Sequence, residues 1–173
     1  MDWMSFITAA PEMTLLGLIC VVLVADLFID NEHRILTYWM ALASVAITLW
    51  VLMVTSPDGR TEVFSGSYVS DGLSQALKIS VAGFVAVAFA YARDYLRAND
   101  LHKGEFYVLG LFGLLGMMIM ISANSLLTMY LGLETLALSQ YALVAFDRNN
   151  ETSAESAMKY FVLGAIASGA LLY

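Results

Sequence analysis

One acidic side chain stands near the middle of a long apolar run. Glu134 has eight residues of this run before it, from Leu126, and twelve after it, to Phe146. At about 1.5 Å per helical residue it lies roughly 12 Å from the nearer end, too far for its short stem to reach polar surroundings. An acidic group at mid-depth of a membrane costs about 2.5–3.5 kcal/mol, so such residues usually face a bundle interior or a water-filled path. Glu134 is the first candidate for proton-transfer chemistry.

Two interpretations of Glu134 stay open. Burial favours the protonated carboxyl and a nearby cation favours the ionised one, so a group between these influences can load and release a proton. The alternative is a permanently protonated glutamate that hydrogen-bonds one helix to another. Hydroxyl-bearing residues flank it at helical spacing and can either hold water or join helices. They are Tyr130 and Tyr141 on its own face and Thr128, Thr135 and Ser139 on a second stripe.

Lys159 is the second candidate, six residues into the last apolar run. The two runs are joined by a short turn, so they run antiparallel, and the helical rise places Glu134 about 18 Å and Lys159 about 9 Å from that side. A direct Glu134–Lys159 salt bridge is not expected. Lys159 is either the cytoplasmic start of a proton relay or an anchor that extends to the interface. Glu134 then lacks an adequate basic partner among these residues.

The other ionisable residues predict little chemistry. Asp26 and Asp30 close the first apolar run and Lys78 follows the start of the third, where we expect them to anchor helix ends at the interface. The only cysteine, Cys20, excludes an intrachain disulfide. His33 and His102 are isolated loop residues, so no metal site is expected.

Six apolar runs supply the elements that must position Glu134 and Lys159. They cover residues 12–29, 35–54, 73–92, 106–123, 126–146 and 153–173. Each has about the 20 residues needed to cross a membrane, and backbone amides in lipid must be satisfied within their own segment, which predicts helices. The fold class expected is therefore all-α, a polytopic transmembrane helix bundle, with residues 1–173 forming one integral-membrane domain.

Composition agrees with a membrane protein. Of the 173 residues, 60% are apolar and 13% are charged, against about 45–50% and 25% in soluble domains. The mean hydropathy is +0.76. These values exclude a soluble domain and a disordered chain. The net charge of −7 excludes a nucleic-acid-binding protein, which needs a basic face.

Basic residues between the spans predict the orientation. The loops after the first, third and fifth spans carry five of them, Arg34, Arg93, Arg97, Lys103 and Arg148, whereas the other side carries only Arg60. Basic residues favour the cytoplasmic side. We expect the N-terminus to be periplasmic. Two turns are also predicted, the charged segment 30–34 and the Ser56-Pro57-Asp58-Gly59 reversal.

Small residues predict close helix contacts. Gly110, Gly113 and Gly116 repeat along the fourth span, and small residues four apart occur in the sixth, at Gly164/Ser168 and Ala165/Gly169. Such spacing lets helix backbones approach closely.

Five ordered blocks carry a resemblance to a known family. They are Arg93-Asp94-Tyr95-Leu96, Gly104-Glu105-Phe106-Tyr107, Leu126 to Glu134, Tyr141 to Phe146 and Ala157 to Ala165, after a Pro11-Glu12 opening of the first span. The chain resembles, along its whole length, the subunit N family of bacterial proton-translocating NADH:quinone oxidoreductase, respiratory complex I. The resemblance implies the first helices of an antiporter-like fold of about fourteen helices.

The resemblance also implies a function. Such subunits couple electron transfer from NADH to quinone with proton translocation, as multi-pass proteins of the bacterial inner membrane. Glu134 matches a glutamate that pairs in the family with a lysine on the next helix but one, and Lys159 matches a further lysine. The resemblance implies no cofactor on this chain; NADH, FMN, iron–sulfur clusters and quinone belong to the parent complex. The partners implied are other membrane-arm subunits and the lipid bilayer.

The resemblance covers only the first part of the family pattern. The lysine paired with the glutamate, further lysines and the second helix repeat are absent, and the chain stops inside the sixth span, so we interpret it as a fragment truncated at its C-terminus. Two alternatives remain: a subunit of a multicomponent cation/proton antiporter, which uses the same repeat, and a non-catalytic membrane scaffold in which Glu134 joins helices.

Overall fold

A computed structural model describes residues 3–29, 34–56, 59–99, 101 and 103–173. Within these residues the chain forms seven helices and one short hairpin. The helices are α1 (Trp3–Thr8), α2 (Ala10–Asp26), α3 (Ile35–Val54), α4 (Gly72–Ala98), α5 (Glu105–Ile121), α6 (Leu126–Val144) and α7 (Glu151–Leu172), and the strands are β1 (Thr61–Val63) and β2 (Tyr68–Ser70). The all-α prediction is confirmed.

Each predicted span coincides with one helix, from α2 to α7, within a few residues at most ends. The largest difference is in α4, which continues six residues beyond the predicted end to Ala98. Its added turns carry charged residues that the hydropathy criterion excluded from the span, but helical hydrogen bonding does not require apolar side chains. Within the described chain, α3 and α4 are long and apolar enough to cross a membrane by themselves. The membrane assignment of the other four stays a prediction.

Residues 59–71 form structure that the sequence analysis did not anticipate. β1 and β2 pair antiparallel with Thr61 opposite Ser70 and Val63 opposite Tyr68. The turn between them has three successive residues in the left-handed region, Phe64, Ser65 and Gly66. This region costs little for glycine but is unfavourable for phenylalanine and serine.

The hairpin docks on the connection between α5 and α6. The backbone amide of Val69 donates to the Ser122 carbonyl at 2.9 Å, and that of Asn124 donates to the Ser67 carbonyl at 3.0 Å. Because α2 and α4 also begin here, we call this region the hairpin end of the bundle. The opposite end holds the termination of α4 and the start of α5.

The core is built around α5, which packs against α2, α3, α4 and α6. Four of its side chains are completely buried: Tyr107, Leu111, Leu114 and Met118. By contrast, α7 packs against α6 and buries only Ala157 and Ser168. The glutamate-bearing helix α6 therefore lies between the packed core and the most exposed helix.

Glycines allow a close contact between two helix backbones, as predicted for the fourth span. A Cβ atom on Gly116 of α5 would lie 2.7 Å from the carbonyl oxygen of Gly132 in α6, so neither backbone leaves room for a side chain. The prediction for Ala165 and Gly169 is wrong: both are exposed, and a Cβ on Gly169 would meet nothing within 4 Å. These two lie on the side of α7 that faces away from α6.

Some predicted features lie outside the described residues. These are most of the charged turn at 30–34, Pro57 and Asp58 of the second turn, and the two histidines, His33 and His102.

At the opposite end of the bundle, the hydroxyl of Thr37 donates to Asp26 at 2.7 Å and the Arg93 guanidinium lies 5.1 Å from the centre of the Tyr38 ring. Asp26 is thus half-buried and bonded to α3, more enclosed than an interfacial anchor.

Candidate functional site

Glu134 lies at the ninth position of α6, near the middle of the helix. Its carboxylate is half-buried and accepts a hydrogen bond from the hydroxyl of Ser168 on α7 at 3.0 Å. Ser168 is itself 7% exposed. The two helices are therefore joined near mid-length by one polar contact between residues 34 positions apart in the sequence. The sequence pattern predicts only a close helix contact at Ser168, because of its small size, and does not predict this hydrogen bond.

This hydroxyl partner suits both forms of the carboxyl group. A serine hydroxyl has one proton to donate and lone pairs to accept, and its proton rotates freely. It can donate to the ionised Glu134, as the 3.0 Å contact indicates, and accept from the protonated one. The ion pairs found in the described part of the chain do not include Glu134, and the identity of its basic partner stays a prediction.

An aromatic cluster stands beside the glutamate. Tyr141 lies seven residues after Glu134, on the same side of α6, and its ring packs edge-on against Tyr160 at 4.9 Å and Phe161 at 5.5 Å. The Tyr160 hydroxyl donates to the side-chain oxygen of Gln140 at 2.8 Å. Together these contacts fix how α7 lies on α6, and so which residue of α7 meets Glu134.

The second hydroxyl stripe does not form a chain toward Glu134. Thr135 donates to the Leu131 carbonyl at 2.8 Å and Ser139 donates to the Leu136 carbonyl at 2.7 Å, both within α6. Thr128 takes part in capping the start of the helix through Ser125. The helix backbone uses the hydroxyl protons of Thr135 and Ser139, which favours a local role over a water-holding one.

Lys159 is not close to Glu134 in the structure. Its side chain is 70% exposed and forms an ion pair with Glu155, four residues earlier on α7, at 2.6 Å. Nine residues separate it from Ser168, so the helical rise places it roughly 13 Å along α7 from the glutamate's partner. The expectation of no direct salt bridge agrees with this geometry. Its role as relay residue or interfacial anchor stays a prediction.

The structure reveals a buried ion pair that sequence analysis missed. Lys78 is 2% exposed and Glu12 is 7% exposed, and Lys78 Nζ lies 2.6 Å from Glu12 Oε1. Lys78 also donates to the Tyr68 hydroxyl at 2.9 Å. The prediction that Lys78 extends outward to the interface is therefore wrong. Its stem points into the bundle because the Glu12 carboxylate from α2 compensates its charge there and the Tyr68 hydroxyl from β2 accepts a hydrogen bond from it.

Tyr68 contacts Lys78 through both its hydroxyl group and its ring. Its ring lies beneath the ammonium group of Lys78, 5.0 Å from the ring centre. Burial, and secondarily the nearby negative charge of Glu12, raise the pKa of the Tyr68 hydroxyl far above its usual range. The phenol therefore stays protonated at any physiological pH. The signal that could have found the cluster was the unusual pair of opposite charges, each near the start of an apolar span on the same predicted side.

Metal chemistry has no visible basis in the described ranges. No group of three or more histidine, cysteine, aspartate or glutamate side chains there could hold an ion.

Known proteins match the chain over nearly its whole length. It is 50% identical over 98% of its residues to NADH-quinone oxidoreductase subunit N of Thioalkalivibrio sulfidiphilus, and 53% identical over 98% to that of Alkalilimnicola ehrlichii. The Neisseria gonorrhoeae subunit N is 45% identical over 100% of the chain. The chain is thus similar to proteins named NADH-quinone oxidoreductase subunit N. It spans about a third of the length of these relatives, 35% of the first two and 36% of the third.

Two further comparisons agree with subunit N. The family described as "NADH:quinone oxidoreductase/Mrp antiporter, TM" matches residues 123–173, which include α6 and α7. Among solved structures, respiratory complex I from Thermus thermophilus with bound aureothin contains a chain that superposes with a TM-score of 0.73 at 26% identity. The match covers 92% of this chain and 34% of that one. The antiporter-like arrangement of the first helices is thus confirmed.

Proposed function

We propose that these residues form part of a membrane-arm subunit that couples electron transfer from NADH to quinone with proton translocation across the bacterial inner membrane. The observation that carries the proposal is the half-buried carboxylate of Glu134, bonded to Ser168 of the adjacent helix, in a chain similar to subunit N proteins. A mid-helix carboxyl group with a partner that suits both protonation states is the chemistry a proton path requires.

In the proposed mechanism Glu134 holds and releases the proton. The ionised carboxylate accepts from Ser168, and the protonated carboxyl donates to it, so a proton can be loaded without breaking the contact between α6 and α7. Lys159 lies roughly 13 Å away along α7, where it is exposed and could pass protons from water toward the glutamate. The driving change is electron transfer elsewhere in the complex.

The proposal assigns no redox cofactor to this chain. NADH, FMN, iron–sulfur clusters and quinone would be bound by other subunits of the parent complex, and this chain would contact other membrane-arm subunits and lipid. Its many exposed apolar side chains suit both kinds of neighbour; Trp50, Phe84 and Leu163 are each about two-thirds exposed or more.

We also propose that the hairpin end is periplasmic and that the opposite end is cytoplasmic. The support is the distribution of basic residues, five between spans on one side against Arg60 on the other. Single cysteines in place of Arg60 and Lys103, introduced after Cys20 is replaced, should react with an impermeant maleimide from opposite sides of the membrane. Labelling from the same side would contradict the orientation.

The decisive experiment replaces Glu134 by glutamine in the full-length subunit, assembled in its complex in membrane vesicles. Glutamine keeps the shape and the Ser168 contact but cannot release a proton. We expect coupled NADH:quinone turnover and proton pumping to fall by about 100-fold, since a positioned proton-transfer group contributes roughly that factor or more. Glu62→Gln, which changes an exposed carboxylate of the hairpin, is the matched control.

An assembled Glu134→Gln complex with wild-type turnover and pumping would refute the relay role and favour a helix-joining glutamate. The family description also covers Mrp antiporters, so a cation/proton antiporter subunit is the second candidate. It predicts proton movement driven by a sodium gradient in the absence of NADH, which the same vesicles can measure.

A further inference from the structure

The buried ion pair at the hairpin end has no part in the proposed proton path. Glu12 belongs to α2, Lys78 to α4 and Tyr68 to β2, and all three are less than a tenth exposed. The distances of 2.6 Å from Lys78 to Glu12 and 2.9 Å to Tyr68 place the ammonium group between a carboxylate and a phenol. One lysine thus joins two helices and the hairpin.

The hairpin needs such an anchor. Its strands are three residues each, and its turn places Phe64 and Ser65 at positive φ. A two-stranded hairpin is marginally stable at best, and left-handed backbone in such residues persists only where the surroundings impose it. Its order must come from what it docks against, and Tyr68 is its principal buried side chain.

The hairpin in turn forms hydrogen bonds with the α5–α6 connection. Tyr68 forms an isolated antiparallel bridge with Ala123. The side-chain amide of Asn124 donates to the Gly66 carbonyl at 2.7 Å, in addition to the two backbone bonds between these segments. The next residue, Ser125, caps α6 by accepting from the Thr128 amide at 3.1 Å.

We propose that Glu12, Lys78 and Tyr68 form a buried tie that positions the α5–α6 connection and, through it, the start of the helix that carries Glu134. Eight residues of helix separate Leu126 from Glu134, about 12 Å of rigid backbone, so a shift at the helix start moves the carboxylate. The three are positioning residues. Their effect on pumping rests on the proposed function; the tie itself does not.

A thiol under the hairpin tests the tie directly. Ser122 is 1% exposed, so Ser122→Cys in the full-length subunit, with Cys20 replaced, should react slowly with an impermeant maleimide in membrane vesicles containing the assembled complex. Glu12→Gln and Lys78→Met each leave the other charge buried without its partner. We expect either change to accelerate labelling by about tenfold or more, because an uncompensated buried charge is strongly unfavourable.

The double variant Glu12→Gln/Lys78→Met removes both charges and should return labelling to within about threefold of the reference, since a buried pair can be replaced by uncharged residues at little cost. Arg60→Gln is the matched control: it breaks the exposed Arg60–Glu62 pair of the same hairpin and should change nothing. Slow labelling in both single variants, or equally fast labelling in the double variant, would overturn the tie.

Tyr68→Phe covers the case in which the single-charge variants do not accumulate. It removes only the hydroxyl and should raise labelling by about threefold; unchanged labelling would overturn the role of Tyr68.

The number of protons moved per NADH oxidised distinguishes a role in positioning Glu134 from a role in holding the hairpin alone. We expect it to fall in Lys78→Met and Tyr68→Phe and to recover in the double variant. A normal ratio with fast labelling would overturn the positioning of Glu134 while leaving the tie intact. Failure of the proposed function would instead appear as normal pumping in Glu134→Gln.

Discussion

Lys78 and Lys159 look alike in the sequence and differ completely in the structure. Each lies six to eight residues inside an apolar helix that starts at a polar turn. Lys78 is buried, with a carboxylate from another helix 2.6 Å away. Lys159 is 70% exposed and pairs with Glu155 of its own helix. Distance from a helix end therefore does not decide whether a lysine is an anchor; the neighbouring elements do.

The same contrast extends to the helices that carry these lysines. α4 packs on α3 and α5 and supports the hairpin, whereas α7 packs on α6 and leaves most of its surface exposed. The region from α2 to α5 with the hairpin encloses the Glu12–Lys78 pair, in which the two buried charges compensate each other. The α6–α7 pair carries the proton-transfer candidates where they can still meet water or a partner helix.

The largest expected difference is between the two lysine substitutions. Lys78→Met leaves Glu12 buried and unpaired, which should cost about 3–5 kcal/mol. Lys159→Met removes an exposed pair worth about 0–1 kcal/mol after solvent screening. The thermal midpoint of the solubilised full-length protein measures both. Equal midpoints would remove the distinction between the two regions.

Two glycine substitutions test the same comparison, and their expected effects on stability are of intermediate size. Gly116→Ala places a Cβ atom 2.6 Å from the Leu136 amide nitrogen and should cost about 1–3 kcal/mol through overpacking of α5 on α6. Gly169→Ala meets nothing within 4 Å, so alanine should be tolerated or slightly stabilising, because it favours helix over glycine. A loss of stability in Gly169→Ala would mean that this side of α7 is packed in the assembled protein.

The smallest expected effect concerns the caps of the same two helices. Asp71 caps α4 by accepting from the Ser74 amide at 2.7 Å, and Asn150 caps α7 by accepting from the Thr152 amide at 3.0 Å. The bonds from Ser74 lower the pKa of Asp71. Its contribution to stability is therefore present above the ordinary aspartate pKa and is lost as the pH falls through the lowered value.

Asp71→Asn keeps a cap that does not titrate. Relative to this variant, the wild-type thermal midpoint should decline as the solution is made acidic and should not decline at neutral pH. A constant difference across the acidic range would contradict the assignment of Asp71 as a titrating cap. Asn150, the exposed cap of α7, does not titrate. Its contribution to the thermal midpoint should therefore not depend on pH.

Much of the helical framework could be predicted because it depends on the local pattern. The run 35–54 coincides with α3 at both ends, since an unbroken apolar stretch of this length has one stable conformation when its amides must bond internally. The hairpin could not be predicted from residues 59–71, because strands of three residues carry almost no pattern and Phe64 and Ser65 adopt backbone angles that only docking enforces.

The candidate site was predictable only in part. The depth of Glu134 follows from counting residues along α6, but its partner Ser168 lies on another helix, and the rotation of α7 about its axis depends on how Tyr141, Tyr160 and Phe161 pack. The prediction for Lys78 is wrong for the same reason. Its depth favoured an anchor, and nothing near it in the sequence indicates that Glu12 would be 2.6 Å away.

The sequence by itself determined that the chain is a bundle of apolar helices with one acidic group far from any helix end, because helix formation in an apolar run and the rise per residue are local properties. Only the tertiary structure decided which charges are compensated, which glycines contact a neighbouring helix and which elements the hairpin packs against. Those contacts join residues 34 or 66 positions apart, Glu134 with Ser168 and Glu12 with Lys78. Their geometry is fixed by how neighbouring helices rotate and pack, and a one-dimensional pattern does not contain that information.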